Sequence, residues 1–172
     1  MINMRERQIA DGKEPAGGQE RPADYGLIAA QILALAEEDP GAVPLLANVS
    51  SLIWEALDRV NWAGFYLLRP DGVLVLGPFQ GKPACVHIGP GKGVCGTAAA
   101  EDRTVIVPDV HRFPGHIACD SASRSEIVVP IHKDGRVTGV LDIDSPETER
   151  FGESEREGLE KVVRTLEQIV AF

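Results

Sequence analysis

The chain has 172 residues, 44% of them apolar and 25% charged, which suits one globular domain and excludes wholesale disorder. Its 26 acidic residues outnumber 17 basic ones, against the basic footprint that a nucleic-acid backbone binder requires. Three cysteines make no secreted disulfide framework, and no stretch approaches the roughly eighteen apolar residues of a membrane span. Residues 1–24, rich in Gly and Pro and without the apolar run of a secretory signal, are expected as a mobile N-terminal extension. A reducing, cytoplasmic compartment follows as an expectation.

From residue 25 to 172 the pattern is that of a single domain. Asp24 offers an N-cap for a helix reaching Glu38, and Pro40-Gly41 stops it. Pro44 lies in the first turn of a second amphipathic run that extends from Leu45 to Val60. Trp62 to Leu68 then alternates with period two, and the turn Arg69-Pro70-Asp71-Gly72 returns the chain through Val73 to Leu76. Cys85 to Ile88 reads as a short strand, Gly89 to Gly93 as a tight loop, Val94 to Glu101 as a small helix and Thr104 to Val107 as a strand. Pro108 to Ser123 shows no periodicity, and so long an irregular segment in a compact domain points to a functional loop. Glu126 to His132 and Arg136 to Asp144 form a second hairpin. Ser154-Glu155-Arg156-Glu157 matches a capping box before the apolar stripe Leu159 to Val170. Helices at both ends and hairpins between them predict an α+β sheet with its helices on one face.

The cysteines, Cys85, Cys95 and Cys119, are spaced too widely for paired zinc ligands and form no C-x-x-C dithiol, so no metal is expected. They read either as small buried hydrophobes or as reactive thiols near loop ends, where a helix N-terminus or a cation lowers a thiol pKa. Gly91-Lys92-Gly93-Val94-Cys95-Gly96 fits G-x-G-x-x-G, but a two-turn helix followed by hairpins is no dinucleotide fold; the glycines instead mark a close backbone approach. Asp142 and Asp144 share one strand face about 7 Å apart. Glu126, on the neighbouring strand, adds a third carboxylate. Such acids are either solvated charges or a pocket that holds an ammonium and raises a carboxyl pKa. Trp62 and Tyr66, with Gly64 between them, pack in the core or wall a small-ligand pocket. The four histidines show no ligand spacing and read as surface or hydrogen-bonded residues.

Several runs together resemble the free methionine-(R)-sulfoxide reductases. They are Asn61-Trp62-Ala63-Gly64-Phe65-Tyr66, Gly77 to Cys85, Gly91 to Gly96, Val107-Pro108-Asp109-Val110, Phe113 to Asp120, Ser125 to Pro130 and Leu141 to Pro146. The likeness runs in order from Tyr25 to Phe172 and takes in all three cysteines. It implies a GAF fold, a central antiparallel sheet flanked by N- and C-terminal helices. It implies reduction of free L-methionine (R)-sulfoxide without a cofactor, with thioredoxin as reductant. By position it makes Cys119 the nucleophile that becomes a sulfenic acid, Cys85 the resolving thiol and Cys95 an auxiliary one. Glu126, Asp142 and Asp144 match the carboxylates of the substrate site, and Trp62 and Tyr66 its aromatic wall. The apolar terminal helices suit a homodimer. Two other readings are a non-catalytic GAF sensor of a small molecule and a thiol peroxidase.

Overall fold

Asp24 caps the first helix as expected: its carboxylate accepts a hydrogen bond from the Leu27 N–H at 2.9 Å. A computed structural model describes residues 22–117 and 119–170, so most of the expected N-terminal extension, residues 1–21, lies outside the described residues. Helices α1 (Tyr25–Glu38) and α2 (Ala42–Ala56) precede strands β1 (Trp62–Leu68), β2 (Leu74–Gly81) and β3 (His87–Ile88). Helix α3 (Gly93–Glu101), β4 (Val105–Val107), a 3-10 turn at Val110–Arg112, β5 (Ser125–Lys133), β6 (Arg136–Ser145) and α4 (Glu153–Ile169) follow. The six strands form one antiparallel sheet in the order β3-β2-β1-β6-β5-β4, with the two hairpins meeting at β1 and β6.

Four local expectations shift. The second helix stops at Ala56, because Leu57 turns extended and Arg59 adopts φ 60°, which leaves Val60 outside it. The returning strand continues past Leu76 to Gly81, with a bulge opposite β1 that takes up Gly77-Pro78. Cys85 and Val86 precede the third strand rather than opening it. The last helix is capped from Gly152, whose N–H donates to the Glu155 carboxylate at 3.0 Å, and Ser154 lies inside the first turn.

The alternation of each strand divides the apolar residues between two cores. On one face α1, α2 and α4 cover Ala63, Phe65, Ile127, Val129, Ile131, Leu141 and Ile143. On the other, Trp62, Tyr66, Leu74, Val128 and Val140 pack under α3 and the loops around it. The expectation that all helices share one face is therefore corrected for α3. Its short run of mostly small residues, Gly93 to Ala100, packs over β5 and β6.

Candidate active site

Cross-strand register assembles the floor of a pocket on the α3 face. Asp144 stands opposite Trp62 on one side and Glu126 on the other. One step along, Asp142 stands opposite Gly64 and Val128, and the next row holds Tyr66 and Val140. The side-chain period of two thus brings all three carboxylates and both aromatics to one face. Gly64 is required there: a Cβ would lie 2.3 Å from the Phe79 Cβ and 2.8 Å from the Trp62 ring. The gap lets the Trp62 ring lie between Tyr66, at 5.9 Å between centroids, and Phe79, at 5.2 Å. Trp62 Nε1–H donates to the Lys82 carbonyl and the Tyr66 hydroxyl to the Cys85 carbonyl, tying both rings to the loop that carries Cys85.

Cys95 lies in the first turn of α3, which the close packing of Gly96 against the preceding loop brings down onto the sheet. A Cβ on Gly96 would stand 2.8 Å from the Gly89 carbonyl, so the G-x-G-x-x-G pattern serves backbone approach. Cys95 Sγ is 3.9 Å from Glu126 Oε1. Cys119 lines the same pocket from the long irregular loop, its thiol half-buried and close enough to Cys85 to be perturbed by it. The structure therefore gathers every residue singled out from the sequence, with Cys85 beside Cys119 rather than in the pocket lining itself.

Sequence reasoning did not pick out the polar groups that surround this cluster. His116 faces Glu126, with Nδ1 3.9 Å from Oε2. Lys82 reaches Asp120 at 3.5 Å, and Asn61 Nδ2–H donates to both Asp120 and Ser123, so the two cysteine loops are latched to each other and to β1. The run Phe113 to Asp120 marked this segment, but only folding shows which of its side chains turn inward.

The electrostatics are those of buried like charges. Glu126 and Asp142 are only 5% and 6% exposed, which decides against solvated surface acids. Burial, then Asp142 and Asp144, push the Glu126 carboxyl well above its ordinary range. Asp144 is raised by burial and by Asp142 and Asp120. Asp142 is raised to about 6 by burial, with Cys95 and Glu126 acting to hold it down. Burial also pushes the Cys119 thiol up to about 12, reinforced by Cys85, and raises Cys95 strongly, reinforced by Asp142 and Glu126. About 30 Å³ of the pocket is open to the centre of a water-sized sphere, more than the roughly 10–15 Å³ that one water needs. No described helix is long and apolar enough to cross a membrane.

Comparison with known proteins places these features in context. Residues 42–170 match the GAF domain family. The chain is 51% identical over 138 residues to the free methionine-R-sulfoxide reductase of Escherichia coli, covering 80% of this chain and 83% of that protein. It is 51% identical over 134 residues to the enzyme of the same name from Saccharomyces cerevisiae, covering 74% of each. The structure of fRMsr of Staphylococcus aureus in complex with substrate superposes with a TM-score of 0.82 at 51% identity, covering 90% of this chain and all of that one.

Proposed function

Because the chain belongs to the GAF-domain family of free methionine-(R)-sulfoxide reductases, we propose that it reduces free L-methionine (R)-sulfoxide to methionine in the pocket beneath α3. The observation that carries this reading is the buried group Glu126, Asp142 and Asp144, set beside Cys95 and Cys119 under an aromatic wall.

Sulfoxide oxygen leaves only when protonated, so the reaction needs a carboxyl that is still protonated near neutral pH. Glu126, held up by burial and two neighbouring acids, meets that need. Asp142, at about 6, is largely ionised at neutral pH and suits the substrate's ammonium, a group that peptide-bound methionine lacks. Cys119 is the nucleophile in this scheme. Its raised pKa keeps it a thiol in the free protein; an ammonium among the carboxylates offsets their charge and lowers it. A thiol peroxidase would instead keep its cysteine poised as thiolate without substrate.

Cys119 Sγ attacks the sulfoxide sulfur while Glu126 protonates the oxygen. The positive charge that develops on the substrate sulfur is stabilised against Trp62, Tyr66 and the carboxylates; the oxygen passes to Cys119 as a sulfenic acid, the thiol proton returns to Glu126, and methionine leaves as a neutral thioether. The adjacent Cys85 thiol condenses with the sulfenic acid, releasing water and forming a disulfide. Thioredoxin, through its own dithiol, returns both cysteines to thiols and takes up the oxidising equivalents. Cys95, hydrogen-bonded into the carboxylate group, is auxiliary and helps hold the acids in place. A cytoplasmic location accords with this reductant. Leu27, Leu33 and Val43 stand exposed on α1 and α2 and support a homodimer, which light scattering tests.

The deciding assay supplies thioredoxin, its reductase and NADPH. NADPH should be consumed with free (R)-sulfoxide alone among that substrate, the (S)-epimer and peroxide. Consumption with peroxide would make the protein a peroxidase, and none with any substrate would make it a binding module. Cys119→Ser should abolish methionine formation. Cys85→Ser should yield about one methionine per protein and then stop, because no disulfide forms for thioredoxin to reduce.

A further inference from the structure

The sulfur of Cys95 and one oxygen each of Glu126 and Asp142 lie within 4.8 Å of one another, all three residues being buried. They come from three elements, α3, β5 and β6, so no spacing along the sequence announces them. Asp142 Oδ1 is buried and has no hydrogen-bond partner among the described residues, although the residue lines the pocket. A buried, unpaired carboxylate oxygen is costly and calls for a cation or a donor. His116 lines the same pocket, with Nδ1 3.9 Å from the second oxygen of Glu126. About 30 Å³ of the pocket is open to the centre of a water-sized sphere, room for an ion between these donors.

We propose that Cys95, Glu126 and Asp142 bind a zinc-class divalent cation, and that metal and sulfoxide are alternative occupants of the pocket. Zinc bonds of about 2.0–2.3 Å set tetrahedral donors about 3.3–3.7 Å apart, so shifts of about 1 Å close the set. A thiolate beside two carboxylates favours zinc over magnesium or calcium, which prefer oxygen throughout. On binding, the Cys95 S–H bond and the O–H bond of any protonated carboxyl break. Their protons go to solvent, S–Zn and O–Zn bonds form, and no oxidation state changes. The wide cysteine spacing excludes a site built from cysteine pairs; this one uses a single cysteine and carboxylates brought by the sheet. Bound metal would remove the proton donor and the ammonium partner together, a reversible off-state. The metal site stands independently of the substrate reading, and only the exclusion of sulfoxide rests on it.

The test uses the full chain, reduced with a phosphine, and Co²⁺ as a spectroscopic probe. One equivalent of Co²⁺ should give a thiolate-to-cobalt charge-transfer band that Zn²⁺ abolishes. The band should be lost in Cys95→Ser and kept in Cys85→Ser and Cys119→Ser. Glu126→Gln, which removes a ligand without touching the sulfur, should weaken Zn²⁺ binding by more than the about 10–100-fold that loss of an outer-shell partner costs. It decides the matter if Cys95→Ser fails to fold. No band in the unaltered protein, a band surviving in folded Cys95→Ser, or full affinity in Glu126→Gln would overturn the site. In Cys119→Ser, free methionine sulfoxide should displace Co²⁺, and simultaneous binding of both would overturn the exclusion. A sulfoxide that fails to bind the metal-free variant would count against the substrate reading, because the cobalt band does not depend on it.

Discussion

On one face of the sheet, Ile127, Ile131, Leu141 and Ile143 pack beneath the helices in an apolar core. On the other, the same strands carry Glu126, Asp142 and Asp144 beneath one short helix and two loops. Alternate residues of β6 thus belong to different economies: Leu141 and Ile143 stabilise the fold, while Asp142 between them is raised in pKa because burial disfavours its charge. The difference teaches that stability and reactivity are separated across the thickness of one sheet. The helix face stabilises the fold enough to hold like charges together on the other.

Glu126→Gln gives the largest expected effect. It keeps the shape and removes the proton donor, so turnover should fall about 100- to 10,000-fold. The melting temperature at neutral pH should hold or rise, since folding no longer has to make a carboxyl take up a proton. The pH dependence follows from the sign of the shifts. An acid whose pKa is raised by folding contributes fully below its unfolded value, 4.5 for Glu126, and that contribution is lost as pH rises through the folded value. Stability of the unaltered protein should therefore decline from about pH 4.5 upward, past the value of about 6 for Asp142, and the variant should decline less. Equal activity, or a steeper decline, would remove the contrast between the faces.

Ile143→Ala tests the opposite face one residue away from the acids. Ile143 is fully buried among the helices, and its truncation should cost about 2–5 kcal/mol by denaturant titration. Turnover per folded molecule should stay near that of the unaltered protein. A large loss of turnover with unchanged stability would show that the two faces are not separable.

How much of this was legible in the sequence depends on the range of the interaction. The Asp24 cap, the Trp62–Gly64–Tyr66 alternation and the shared face of Asp142 and Asp144 are local consequences of helical or two-residue periods. Glu126 joins them because one tight hairpin fixes its register. The placement of α3 was not legible, because β5 is apolar on both faces and either layer could cover Val128 or Val129. His116, Lys82 and Asn61 escaped for a different reason. They are brought to the site by loops, whose polar contacts with Asp120, Ser123 and Glu126 have no sequence period. The Ser154 cap failed because Ser-Glu-Arg-Glu also fits, two residues late, the register that extended Gly152 sets.

Gly64→Ala probes the boundary between the faces at intermediate size. The added methyl would strike Phe79 and the Trp62 ring, so overpacking of about 1–3 kcal/mol is expected. Because the displaced ring walls the pocket, KM for the sulfoxide should rise even in molecules that remain folded. A stable variant with unchanged KM would show that Trp62 has no part in the wall.

The smallest effect concerns a polar tie between β5 and the helix layer. His132 Nδ1 is 2.8 Å from Glu167 Oε1 on α4, and Nε2 is 2.6 Å from Asp102 Oδ1 at the end of α3. Burial alone would lower this imidazole, but the hydrogen bonds and charges of Asp102 and Glu167 outweigh it and the pKa is raised from 6.5. A raised histidine contributes its stability below pH 6.5 and loses it as pH rises through the folded value. With 37% of the side chain exposed, solvent screening limits the contribution to about 1 kcal/mol or less. His132→Asn should therefore be slightly less stable than the unaltered protein near pH 5.5, with the gap narrowing at alkaline pH. The acid group on the other face acts from about pH 4.5, so the two variants should flatten different parts of one stability curve. A His132→Asn deficit that is independent of pH would mean the tie acts through packing alone and leaves the whole pH dependence to the acids.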